Sequence, residues 1–203
     1  MLVPHDMNGQ IVGVLGLGRS GIAAVAALQA AGAHVVAFDD EKHQHDLPAI
    51  HMTDWHGWPW QDMAKMVISP GIPHLHPKPH PAVDHANSLQ IEVISEVELA
   101  LRAKPKARLV VVTGTNGKST TTALIGHCLK TAGRAHAIGG NLGDPACSLD
   151  DPGKDGVLVL ELSSYQLETT PSLAPDISIL MNISPHHLHR HGGMKGNIAA
   201  KTL

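Results

Sequence analysis

Residues 109–122 read LVVVTGTNGKSTTT. The first five form an apolar, β-branched run that suits a strand buried on both faces of a parallel sheet. A glycine turn follows, then Lys118 and Ser119, then a threonine-rich stretch that reads as the start of a helix. In that order these parts make a phosphate-binding loop, because loop amides and a helix N-terminus converge on an anion. Gly114, Thr115, Asn116, Gly117, Lys118, Ser119 and Thr120 are therefore the candidate nucleoside triphosphate-binding residues. Lys118 would reach the β- and γ-phosphates, and the Ser119 hydroxyl would sit on Mg2+. The loop is shorter than the usual G-x-x-x-x-G-K-[ST] spacing, since its glycines are Gly114 and Gly117.

A phosphate loop needs an acid to help hold the metal. VLVLELSS (157–164) reads as a strand ending in Glu161, the metal candidate. ISILMNI (177–183) reads as another buried strand, followed by SPHHLHRHGG. His187 in that segment falls at the carboxyl end of the sheet, where open α/β sheets bind ligands. GGNLG (139–143), after the short strand AHAI, is either a simple turn or a site where Asn141 approaches a ligand phosphate.

The first half carries a second nucleotide signature. QIVGVL (10–15) is a strand, GLGRSG (16–21) a glycine turn, IAAVAALQAAGA a small-residue helix, and HVVAFDD a second strand ending in acids. Gly16 permits the turn, Gly18 lets backbone approach a phosphate, and Gly21 lets helix pack on strand. Asp39, at the strand tip, is placed to accept from a ribose or base donor. Asp40 and Glu41 would repel a 2′-phosphate, which argues against NADP. Arg19 faces either a phosphate or water. VISPGIP (67–73) gives a strand and turn, and LQIEVISEVELALR (89–102) a strand and helix. KPKAR (104–108) reads as a linker, so a domain boundary is expected near residue 105. The fold class is α/β: a Rossmann-like domain over 1–105, then a P-loop-type parallel-sheet ATP-binding domain over 106–203.

Composition narrows the function. With 15 basic and 18 acidic residues and a formal charge of −3, the chain lacks the basic surplus that nucleic acid or anionic membrane calls for. No apolar run approaches the ~18 residues of a membrane span. No signal-peptide pattern opens the chain, and two cysteines make no disulfide framework. A cytoplasmic monomer acting on small molecules is expected. Eight of the 16 histidines fall in HLHPKPHPAVDHA (74–86), which reads as a proline-punctuated loop without ligand convergence, and in HHLHRH (186–191), which lacks the ligand spacing of structural zinc.

Taken together, GLGRSG, SPGIP (69–73), GTNGKSTTT, GGNLG, ELSSYQLE (161–168) and NISPHHLHRHG (182–192) resemble the Mur ligase family over the whole chain. The shortened loop is that family's own. Within it, the motifs are most similar to the branch that adds D-glutamate to UDP-N-acetylmuramoyl-L-alanine in peptidoglycan precursor synthesis. The resemblance implies that Gly16, Gly18, Arg19, Ser20, Asp39, Asn141 and Ser163 contact the UDP substrate. It implies Mg2+ held by Ser119, Glu161, His187 and Lys201, with Lys201 carbamylated, and Lys118, His187 and Lys201 as the catalytic set. The family reads D-H-L-D-R-H where this chain has His186-His187-Leu188-His189-Arg190-His191, which replaces two acids near the metal. Gly196-Asn197 stands where a better helix former is expected. The family's third domain is absent and the central one incomplete, so this chain alone is expected to be an inactive fragment. The alternatives are a degenerate UDP-sugar-binding module without metal chemistry, and an NAD-dependent oxidoreductase that would leave the phosphate loop unexplained.

Overall fold

The computed structural model describes residues 1–41, 51–52 and 54–202. The first half runs β1 (Ile11–Leu15), α1 (Arg19–Ala30), β2 (His34–Phe38), β3 (His51–Met52), β4 (Met63–Ile68), α2 (Pro81–Ser88), β5 (Glu92–Ser95) and α3 (Glu96–Leu101). Its strands are all parallel, in the order β3-β2-β1-β4-β5. Strand order reverses between β1 and β4, so the loops after those strands frame the crevice where such sheets take ligands.

The second half runs β6 (Arg108–Thr113), α4 (Lys118–Thr131), β7 (His136–Gly140), β8 (Val157–Glu161), α5 (Ser164–Glu168), β9 (Ile177–Leu180) and α6 (Met194–Lys201). It forms a second parallel sheet ordered β7-β8-β6-β9. The phosphate loop leaves β6 in the middle of this sheet, flanked by the ends of β8 and β9.

Small residues set the helix positions. Ala23, Ala24 and Ala27 are buried on α1, which lets that helix lie close to the sheet. A Cβ on Gly21 would stand 1.9 Å from the Gly16 carbonyl oxygen, so only glycine lets α1 close onto its own entry turn. Ser95 caps α3, its hydroxyl accepting from the Glu98 amide at 3.0 Å. Pro81 occupies the first turn of α2, where its missing N–H costs nothing.

One apolar cluster joins Val12, Val14, Leu28 and Leu99 of the first half to Ala146, Cys147, Leu158 and Leu160 of the second. The two sheets thus share a core across the 104–107 connection. A separate cluster on the other face of the first sheet holds Trp58, Trp60, Met63 and Met66 under Ala82, Val83 and Ala86 of α2. This accounts for the crowding of tryptophan: the rings fill one side of one sheet. Cys128 is exposed and Cys147 buried, and both are free thiols.

Two expectations fail. The 74–86 stretch reads as proline-punctuated loop, yet its second part enters α2 at Pro81, whose fixed φ suits a first helical turn. The 177–183 run is not a buried strand. β9 pairs with β6 at the sheet edge, and Ile177 and Leu180 are 55% and 43% exposed. An apolar run fits an edge strand as well as a central one, and periodicity does not separate them.

Candidate functional site

The phosphate loop is held open from β9. Asn182 pairs with Asn116 in both directions, accepting from its amide at 3.0 Å and donating to its carbonyl at 3.0 Å. The Asn182 carbonyl accepts from the Thr115 amide at 3.0 Å, and the Ser184 amide donates to Thr115 Oγ1 at 3.0 Å. Gly114 and Gly117 take φ of +141° and +85°, a turn that side-chain-bearing residues rarely make. Lys118 folds over the loop, donating from Nζ to the carbonyls of Gly114 and Thr115, both at 2.9 Å. Its ammonium thus stands where phosphate oxygens would replace those carbonyls.

A cavity of about 330 Å³ opens beside this loop. Of the candidates, it brings together Gly114, Thr115, Lys118, Asn141, Ser163, His187 and Lys201. Pro70 and Gly71, from the turn after β4, form its wall on the first sheet's side. The site therefore spans both sheets. Asn116, Gly117, Ser119 and Thr120 lie outside the lining, exposed around the loop and the first turn of α4.

Lys201 is buried, with Nζ 3.0 Å from Asn197 Oδ1 and 3.4 Å from Thr115 Oγ1. Burial, and next the charge of Lys118, hold its pKa below the ordinary lysine value. Asn197 also donates to the His186 carbonyl at 3.0 Å. The Gly196-Asn197 pair is therefore built in: Asn197 seats Lys201, and a Cβ on Gly196 would lie 1.8 Å from the His191 carbonyl oxygen.

Glu161 is almost wholly buried at the end of β8. Asn141 donates from Nδ2 to its Oε1 at 3.0 Å and from its backbone amide to the Glu161 carbonyl at 2.7 Å. Glu161 Oε2 is buried without a hydrogen-bond partner. An unpartnered carboxylate oxygen at a phosphate loop fits a hard cation such as Mg2+, which takes oxygen ligands. Among the described residues no three His, Cys, Asp or Glu side chains converge on one point. The rest of a ligand set would come from His187, hydroxyls, a modified Lys201 or phosphate oxygens.

His187 lies on the exposed loop after β9 with φ +53°, its ring 5.5 Å from that of Tyr165. Burial, then neighbouring His186, His189, His191 and Arg190, lower its pKa, which favours the neutral imidazole. Arg190 stacks over Tyr165 at 4.5 Å and donates to the carbonyls of Gly71 at 2.9 Å and Ile72 at 3.1 Å. It clamps the turn after β4 against the second sheet. His191 is buried between Ser164 and Glu168. Ser163 lines the cavity, but its hydroxyl caps α5 in a reciprocal pair with Gln166. Asn182, Ser164 and Tyr165 were given no role by sequence, and His186, Arg190, His191 and Asn197 entered only in stretches noted as departing from the family pattern.

The GLGRSG turn sits on the first sheet, apart from the cavity lining. Gly18 is exposed and has open space around its Cα. Ser20 is half-buried in the first turn of α1. The exposed Arg19 donates from its guanidinium to the Gly143 carbonyl at 3.0 Å, tying the turn to the GGNLG loop. Asp39 accepts from the backbone amides of Leu17 and Glu41, so its carboxylate already braces the glycine turn.

The description "Mur ligase middle domain" matches residues 112–203. The chain is 46% identical over 99% of its length to UDP-N-acetylmuramoylalanine--D-glutamate ligase of Caulobacter sp. (strain K31), and covers 45% of that protein. It is 49% identical over 96% of its length to the ligase of the same name from Paramagnetospirillum magneticum, covering 43% of it. The chain thus spans less than half the length of these relatives. Among solved structures, UDP-N-acetylmuramate:L-alanyl-gamma-D-glutamyl-meso-diaminopimelate ligase from Neisseria meningitides matches with a TM-score of 0.55 at 18% identity. That match covers 95% of this chain and 65% of that one, and at such identity speaks for the fold alone.

Proposed function

We propose, from the match of residues 112–203 to the Mur ligase middle domain, that the chain is the substrate- and nucleotide-binding part of an ATP-dependent ligase joining D-glutamate to UDP-N-acetylmuramoyl-L-alanine. Residues 1–105 would take the UDP part of the substrate, and 106–203 the ATP. The observation that carries this reading is the shared cavity: Lys118, Lys201 and Thr115 line it together with Asn141, which holds Glu161.

In the reaction, the alanine carboxylate attacks the γ-phosphorus of ATP, giving an acyl phosphate and ADP. The amine of D-glutamate then attacks the acyl carbon, and phosphate leaves with the C–O electron pair. Lys118 exchanges its contacts with the Gly114 and Thr115 carbonyls for phosphate oxygens and follows the charge as it transfers. Glu161 and Ser119, with His187 and a carbamylated Lys201, would hold Mg2+, which supplies charge neutralisation on the phosphoryl oxygens. Lys201 suits carbamylation, because its depressed pKa frees the amine that adds to carbon dioxide with loss of a proton. The carbamate is an anion, so the change turns its repulsion with Lys118 into attraction. The first sheet's crevice would seat the UDP moiety, with the Gly18 backbone open toward it.

A second reading, a UDP-sugar-binding module without metal chemistry, draws on His186 and His189 and on the absence of a carboxylate cluster among the described residues. The two separate in an assay of ATP-dependent amide formation by the chain joined to the part of the Caulobacter relative that it does not cover. Product dependent on ATP, Mg2+ and D-glutamate supports the ligase. Tight binding of the UDP substrate without product, with or without Mg2+, supports the module.

A further inference from the structure

Ser164, His191 and Glu168 form a hydrogen-bonded chain in which only Ser164 reaches the cavity. Ser164 Oγ lies 2.8 Å from His191 Nε2, and His191 Nδ1 lies 2.8 Å from Glu168 Oε1. All three belong to the second half, yet Ser164 and His191 are 27 residues apart in sequence. The His191 side chain is fully buried, and Tyr165 stacks on it with ring centroids 5.2 Å apart. Among the described residues no lysine or arginine pairs with Glu168. Its second oxygen faces His74 Nε2 at 3.6 Å, and neither atom has a hydrogen-bond partner. Burial holds His74 toward its neutral form, so the Glu168 charge is left for His191.

The direction of each bond follows. A carboxylate only accepts, so the proton between Glu168 and His191 sits on His191 Nδ1. In the neutral imidazole Nε2 is then an acceptor, and the Ser164 hydroxyl donates to it. That leaves the Ser164 oxygen with lone pairs, polarised by the imidazole, on a residue that lines the cavity with Lys118 and Lys201. This is the nucleophile–base–orienter arrangement in which histidine takes a proton through a hydroxyl.

We propose that Ser164, His191 and Glu168 form a proton relay that accepts the proton released by the attacking amine of the amino-acid substrate. The proposal rests on the ligase reading. As the N–C bond forms, the nitrogen of the tetrahedral intermediate gives its proton to Ser164 Oγ. Ser164 gives its own proton to His191 Nε2, and the imidazolium is held by the Glu168 carboxylate. The intermediate then expels phosphate, and His191 returns its proton to that phosphate or to water. Ser164 is the catalytic residue; His191 and Glu168 act through it as positioning residues.

Two measurements test this. Nitrogen-15 NMR of His191 in the 203-residue chain should show a proton on Nδ1 and none on Nε2 at neutral pH; a proton on Nε2 overturns the relay. In the joined ligase, acyl phosphate is then trapped with hydroxylamine, a weakly basic nucleophile whose adduct loses its proton to water unaided. In Ser164→Ala and His191→Phe the ratio of D-glutamate amide to hydroxamate should fall about a hundredfold, the size of a general-base contribution. Hydroxamate from a variant also certifies that it is folded. A ratio unchanged in both variants overturns the relay, because a merely structural role lowers both products alike. If wild-type protein yields no hydroxamate, the ligase reading fails instead, and the tautomer decides the network.

Discussion

Asn141 donates its side-chain amide to one oxygen of Glu161 at 3.0 Å and leaves the other buried and unpartnered. A buried acceptor without a partner is destabilising until something fills it. Glu161→Gln should therefore leave the ligand-free fold as stable as wild type or about 1 kcal/mol more so, while removing the dependence of ATP binding on Mg2+. Thermal melts and calorimetric titrations with and without Mg2+ report the two effects. A variant that keeps Mg2+-dependent ATP binding counts against Glu161 as a ligand.

Lys118 and Lys201 share Thr115 and one cavity, and burial together with the charge of Lys118 disfavours the charged form of Lys201. Carbon-13 NMR of the chain in labelled bicarbonate should show a carbamate signal that Lys201→Arg abolishes. Lys118→Met should weaken it at fixed pH, because loss of that cation lets the Lys201 pKa rise and leaves less neutral amine. No signal in the wild-type chain would rule out carbamylation of the isolated protein.

Glu96 is buried at the junction of the two halves, where it accepts from the Cys147 amide, and burial raises its pKa to about 7. The sign is that of a raised acid: the folded state holds the proton over a range where the unfolded chain has lost it. Stability should therefore fall as pH rises from about 4.5 to about 7. The loss is of the order of 3 kcal/mol if the whole shift counts. Urea titrations of Glu96→Gln, which keeps an acceptor for the Cys147 amide, should show a flatter profile over that window and greater stability than wild type above it.

Alanine normally stabilises a helix relative to glycine by roughly 0.5–1 kcal/mol. At Gly21 and Gly196 the sign should reverse, because the added methyl meets backbone oxygens at 1.9 and 1.8 Å. Each substitution should cost about 1–3 kcal/mol or more, as overpacking does. Gly196→Ala should in addition weaken ATP binding, since it displaces Asn197 and with it Lys201. Denaturation and titration of the two variants separate these effects.

The sheet strands and both glycine turns were legible because apolar runs and glycine positions are local signals. What lay beyond local signals was missed. The edge placement of β9 depends on which strands pair, not on its own residues. Asp39 read as an acceptor for a ribose or base donor, and its carboxylate also accepts from the amides of Leu17 and Glu41, contacts that no local signal announces. The 89–102 stretch read as strand and helix, with no local sign that Glu96 and Glu98 are buried where the two halves meet. The Asn182 brace and the Ser164–His191–Glu168 chain join residues far apart in sequence, and no spacing rule brings them together. The loop residues around Lys118 were readable because one short segment carries them all.

The central claim is that this chain binds a UDP-linked muramoyl substrate and Mg-ATP at adjoining sites. Calorimetric titration of UDP-N-acetylmuramoyl-L-alanine into the chain tests it most directly. The account requires saturable binding that UDP competes away and NAD does not, with Mg-ATP still able to bind the loaded chain. A folded chain that takes up neither the substrate nor UDP, or that binds NAD in their place, would contradict it.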